Sequence, residues 1–69
     1  MKLYLIENTG EVDYDEFYGF VVAFKKAGDA KKFEHDYFPD GKGRRVMCIG
    51  NAADWVKDGQ ILIESFKAG

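Results

Sequence analysis

Apolar residues in this chain gather in short blocks separated by turn signals, and the spacing within each block predicts its element. Lys2-Leu3-Tyr4-Leu5-Ile6-Glu7 is a β-compatible run that stops at Asn8-Thr9-Gly10. The next run, Phe20-Val21-Val22-Ala23-Phe24, is β-branched and aromatic, is entered from Gly19 and is left through Lys25-Lys26. Its period of two places Phe20, Val22 and Phe24 on one face. The connection between the two runs, residues 8–17, is too long for a tight hairpin and ends in the acidic, aromatic stretch Asp13-Tyr14-Asp15-Glu16-Phe17-Tyr18. Connections of that length carry function more often than short ones.

From Ala27 to Phe38 the period changes. Ala27, Ala30, Phe33, Tyr37 and Phe38 fall within one arc at about 100° per residue, with Lys32, His35 and Asp36 pointing elsewhere, so the spacing predicts an amphipathic helix of about three turns. Pro39-Asp40-Gly41 ends it. Arg44-Arg45-Val46-Met47-Cys48-Ile49 reads as a third strand and Ile61-Leu62-Ile63-Glu64-Ser65-Phe66 as a fourth, joined by a link that carries Trp55 and has room for one helical turn. The fold class that follows is α+β: a four-stranded, mainly antiparallel sheet with one helix packed on one face, in the order β-β-α-β-β, forming a single compact domain over residues 1–69. We expect Leu3, Leu5, Val22, Ile61 and Ile63 under Ala30, Phe33 and Tyr37, with Phe20 and Phe24 on the Val22 side. The opposite face then carries Tyr4, Ile6, Leu62, Glu64 and Phe66, too apolar for water alone, and is the candidate dimer face.

Composition narrows the chemistry. The chain has 69 residues, one Cys and one His, so it can form no internal disulfide and no Cys/His metal cluster, and its small core has to come from apolar packing. The first apolar run is cut short by Glu7 and Asn8, before it reaches the length of a secretory signal, and no run approaches the roughly 18 apolar residues of a membrane span. These features predict a cytoplasmic protein with no membrane contact, and the Met1 start and strand-like close read as a complete short reading frame. The net charge of −2 conceals a segregation: residues 7–18 hold Glu7, Glu11, Asp13, Asp15 and Glu16 with no base, whereas Lys25, Lys26, Lys31, Lys32 and Lys42, Arg44, Arg45 form two basic groups. An acidic balance offers nucleic acid no general attraction, and the acidic segment suits a basic protein surface.

No residue pattern points to catalysis or to a cofactor. Cys48 sits within an apolar strand and reads as core packing; His35, alone of its kind, reads as a surface imidazole. Asp13, Asp15 and Glu16 could pair carboxylates, but so small a domain has little interior for a substrate pocket, and the spacing does not match a calcium loop. Asp40-Gly41-Lys42-Gly43-Arg44 lacks the phosphate-loop pattern and its strand-then-helix context. Single-stranded nucleic acid stacking on Tyr4 and Phe66 beside Arg45 is an alternative, opposed by the nearby acids.

The opening Met1-Lys2-Leu3-Tyr4-Leu5-Ile6-Glu7, the stretch Tyr14-Asp15-Glu16-Phe17-Tyr18-Gly19-Phe20-Val21-Val22 ahead of Asp29-Ala30-Lys31-Lys32, and the close Ile61-Leu62-Ile63-Glu64-Ser65-Phe66-Lys67-Ala68-Gly69 together resemble a broad group of short, mostly uncharacterised bacteriophage and prophage proteins. The resemblance spans nearly the whole chain and includes no catalytic motif. It implies a setting shared with small anti-defence proteins, anti-CRISPR inhibitors among them, which act by binding a host effector. The strand-strand-helix opening also resembles HicB-type antitoxins, from which the chain departs in having strands after the helix and no DNA-binding domain.

The expectation is therefore a non-enzymatic inhibitor encoded by a phage or prophage, an anti-CRISPR protein that blocks a Cas effector by direct binding in the cytoplasm of an infected or lysogenic host. Asp13, Asp15 and Glu16 would steer the encounter, and Tyr14, Tyr18 and Trp55 would anchor it. A small homodimeric structural or regulatory module is the alternative from a different class.

Overall fold

The computed structural model describes residues 1–10, 16–36, 38 and 43–67. Strands β1 (Lys2–Asn8) and β2 (Glu16–Phe24), helix α1 (Ala27–Lys31), and strands β3 (Arg44–Asn51) and β4 (Ile61–Lys67) follow one another in the order β-β-α-β-β. The strands form one antiparallel sheet with the spatial order β3-β1-β2-β4, so the first two strands lie at the centre and the last two at the edges. The fold is α+β, a four-stranded sheet with one short helix.

β2 starts four residues before the apolar run that marks it in the sequence. Glu16 and Phe17, read there as part of the connection over residues 8–17, belong to the strand, as does Tyr18. Three β-bulges interrupt the ladders. Tyr18 is the extra residue between the pairs Phe17–Phe66 and Gly19–Ser65, Leu62 the extra residue between Val21–Ile63 and Val22–Ile61, and Ile49 the extra residue between Leu3–Gly50 and Tyr4–Cys48. A bulge adds a residue to one strand and re-aims the side chains beside it.

The helix is much shorter than its period suggests. Lys26 precedes it in an extended conformation with no side-chain cap, Gly28 lies in its only full turn, and Lys32 already has φ −98° and ψ 5°. The amides of Lys32 and Phe33 donate to carbonyls three residues back, at 3.2 and 3.4 Å, a tightened last turn. A helix nucleus is costly in a segment with a glycine and no cap. Past Lys32 the described residues are no longer helical, and Phe33, His35 and Phe38 lay their rings on the sheet.

Ring contacts define the covered face. Phe20 lies 4.6 Å from Phe17, 5.1 Å from Phe33 and 5.1 Å from Phe38 between ring centroids, and Tyr4, Ile6, Val22 and Ala30 complete the buried cluster. His35, expected on a helix face away from the apolar residues, is half-buried and stands over this cluster with its ring 4.8 Å from Phe20 and 4.9 Å from Phe17, because the chain at that point is no longer helical. Arg44 fastens the arm to β3: its guanidinium donates to the Phe33 carbonyl and its Cζ sits 4.8 Å over the Phe38 ring. Tyr37, expected in the core, lies outside the described residues, as do Pro39, Asp40 and Gly41 of the expected helix stop and Lys42 of the basic turn.

The register corrects the assignment of faces. Tyr4 pairs with Val22 and Ile6 with Phe20, which places both β1 residues on the aromatic side, where Tyr4 is 6% and Ile6 0% exposed. Leu3, Leu5 and Ile63, expected beneath the helix, face the other way with Ala23 and Val21. Every position from Leu3 to Ile6 is apolar, so β1 has no alternation to say which side is inward. The rings of β2 and the arm decide it. Cys48, expected to be buried, is exposed: it lies on edge strand β3, of which Val46 packs against the core, and its thiol stands 3.9 Å from the Gly50 carbonyl oxygen.

The link between β3 and β4 has to travel from one edge of the sheet to the other, and it does so around one end. Ala52 donates to the Met1 carbonyl at 2.9 Å, Gly59 donates to Ala23 at 2.6 Å, and Asp58 accepts from the Lys25 amide at 3.0 Å. Gly59 has φ +83°, a conformation that favours glycine at this turn. Val56 is buried, while its neighbour Trp55 is 74% exposed. The link holds turns and no helix.

Candidate interaction site

The sheet face turned away from the aromatic arm is organised in rows, because residues paired across the ladders share a rung and a side. One row crosses all four strands: Met47 on β3 pairs with Leu5 on β1, Leu5 with Val21 on β2, and Val21 with Ile63 on β4. All four are apolar, and the outer two are among the exposed large hydrophobic residues described, Met47 at 45% and Ile63 at 63%. The next row, toward the end of β1, reads Arg45, Glu7, Gly19, Ser65. Within it, Arg45 donates from Nε and Nη2 to one oxygen of Glu7, at 3.1 and 2.8 Å.

Gly19 leaves a gap in that second row. A cleft of about 240 Å³ opens over it, walled by Leu5, Val21, Ile63 and Tyr18 and rimmed by Glu7 and Ser65. The cleft is shallow and mostly apolar, without convergent polar groups, which suits a docked side chain better than a reacting small molecule. Tyr18 reaches it because it is the extra residue of a bulge, and it remains 45% exposed.

The residues proposed from sequence as one binding patch do not all meet. Asp13, Tyr14 and Asp15 lie outside the described residues. Glu16 opens β2, half-buried, and Tyr18 stands at the cleft. Trp55, the other aromatic anchor, belongs to the link that bonds to the far end of β2 at Ala23, five residues and roughly 15 Å of strand from Tyr18. The candidate dimer face is also not as expected. Tyr4 and Ile6 are core, Glu64 pairs with Phe20 on their side of the sheet, Leu62 sits half-buried in its bulge, and Phe66 pairs with Phe17. The open face is instead the Leu5, Val21 and Ile63 side, which sequence reasoning placed under the helix. A stacking surface for nucleic acid built on Tyr4 fails for the same reason, since its ring lies in the core beside Phe24.

Elsewhere the described residues offer less. A polar hollow lined by Glu34, His35, Asp36, Phe38 and Arg44 marks the seam between arm and sheet, and its Arg44 is already engaged by Phe33 and Phe38. No group of three or more His, Cys, Asp or Glu that could hold a metal ion occurs among the described residues, and no helix among them is long and apolar enough to cross a membrane. Compared with protein-family models, with curated proteins and with solved structures, the chain matches none.

Proposed function

We propose that this protein is a non-enzymatic binding module that inhibits a host protein by docking on it through the open sheet face. The observation that carries the reading is the apolar row Met47, Leu5, Val21, Ile63, whose outer two residues are exposed and inner two half-buried, on the face opposite the one that the described part of the arm covers. Exposed apolar rows with an aromatic at the rim are the surfaces on which binding energy concentrates. Tyr18 supplies that aromatic at the cleft. The acids Asp13 and Asp15 add a negative field that speeds encounter with a basic partner.

The resemblance to short phage and prophage proteins supplies the setting: a host defence effector as target, a Cas effector in particular, met in the cytoplasm of an infected or lysogenic cell. Expression of the chain in hosts that carry each type of CRISPR–Cas system, challenged with a phage that the system targets, tests it. Plating of the phage should be restored in one of these hosts by at least a hundredfold, and Ile63→Glu, on an edge strand and exposed, should remove the effect while the protein still accumulates folded. Failure of the folded protein to restore plating in every host would overturn the reading, as would full activity of Ile63→Glu.

A further inference from the structure

Two adjacent rows of the open face complement themselves. A two-fold axis running along the strands between β1 and β2 would lay this face on the same face of a second copy, with β1 over the other copy's β2 and β3 over its β4. Met47 then meets Ile63, and Leu5 meets Val21, so the apolar row covers itself from edge to edge. In the second row Glu7 lies over the gap at Gly19 and Arg45 over the Ser65 hydroxyl. In these two rows no charge faces a like charge, and a long side chain is set against the one position of the two rows that has none.

We infer that a second copy of this chain covers the open face and that the free protein is an isologous dimer. Closed two-fold contacts need a patch that matches itself on rotation, and this face does. The size of the face limits the association to a reversible one. The protein measures 36 by 20 Å along its two longer axes, so one face offers no more than the roughly 800 Å² per partner of a standard interface. Part of it is already spent, since Ala23 on this face is fully buried within the monomer. Such an interface gives a dimer that dissociates on dilution through the micromolar range. The pairing needs no host protein, so it stands or falls apart from the inhibitor reading; the same face cannot hold both occupants at once, and a bound host target would replace the second copy.

Two measurements on the full chain test it. In sedimentation equilibrium the mass should rise with concentration from 7.8 kDa toward twice that value. In a sample mixed from two differently labelled preparations, NMR should show a nuclear Overhauser contact between the methyls of Met47 and Ile63. Within one copy these residues sit on opposite edge strands, three strand spacings or roughly 14 Å apart, too far for that contact. Ile63→Glu and Val21→Asp should each keep the mass at 7.8 kDa with the folded spectrum retained. A mass that stays monomeric to millimolar concentration would overturn the inference, and so would a dimer that lacks the Met47–Ile63 contact or persists in both variants.

Discussion

Gly19 and Ile6 approach so closely across the central ladder that Gly19 has no room for a side chain: a β-carbon there would lie 2.6 Å from the Ile6 carbonyl oxygen and 3.2 Å from the Glu7 Cα. The obstacle is backbone in the middle of the sheet, which cannot swing aside. The same absence of a side chain makes the cleft beside Tyr18, so one residue serves both the strand pairing and the shape of the open face.

Gly19→Ala should therefore destabilise the fold by about 1–3 kcal/mol, the usual cost of forcing an extra methyl into a packed site. Urea unfolding of the two proteins measures it. An unchanged midpoint would mean that β1 and β2 are further apart than the ladder places them.

Much of the fold is legible in the sequence, and what is not has physical causes. Strand positions follow from β-branched and aromatic runs bounded by Gly, Asn and Asp, and each appears within a few residues of its run. The sidedness of the sheet does not follow. Leu3 to Ile6 and Phe20 to Phe24 are apolar at every position, and a period of two carries no sign when both phases are apolar. Only the pairing Ile6–Phe20 settles it, and a long connection between two strands does not fix their register. Helical spacing over residues 27–38 misleads because Phe33, His35 and Phe38 reach the same ring cluster from an irregular arm. Bulges at Tyr18 and Leu62 leave no composition signal, although they decide which residues line the cleft.

Arg44 holds the arm by a charged hydrogen bond to the Phe33 carbonyl and by its stacking on Phe38. Arg44→Ala should cost about 2–3 kcal/mol, summing a hydrogen bond to a charged group and a partly desolvated cation–π contact. Arg44→Lys should recover less than half, because an ammonium cannot do both at once. Thermal unfolding gives the stability, and amide exchange at Phe38, whose N–H donates to His35, reports loosening of the arm. Equal stability of Arg44→Ala and the parent would show that the arm is held by its rings alone.

Glu7 and Arg45 form a cross-strand ion pair whose side chains are 32% and 59% exposed. At that exposure a double-mutant cycle should give a coupling of no more than about 1 kcal/mol, and it should shrink as salt is raised. A larger coupling that survives high salt would mean that the pair is covered in solution, as it would be beneath a second copy.

Val21 and Val22 are neighbours on β2 that point to opposite faces, Val22 fully buried against the aromatic arm and Val21 in the open row. Everything proposed for this protein depends on which of the two is inside. Urea unfolding of Val22→Asp and Val21→Asp in dilute solution tests it directly. The structure predicts that Val22→Asp loses cooperative unfolding, because an unpaired buried carboxylate costs as much as a small domain's whole stability. Val21→Asp should still unfold cooperatively, about 1–2 kcal/mol below the parent, because Val21 is only half-buried. The reverse pattern, with Val21→Asp unfolded and Val22→Asp tolerated, would contradict the assignment of faces and remove the interaction surface with it.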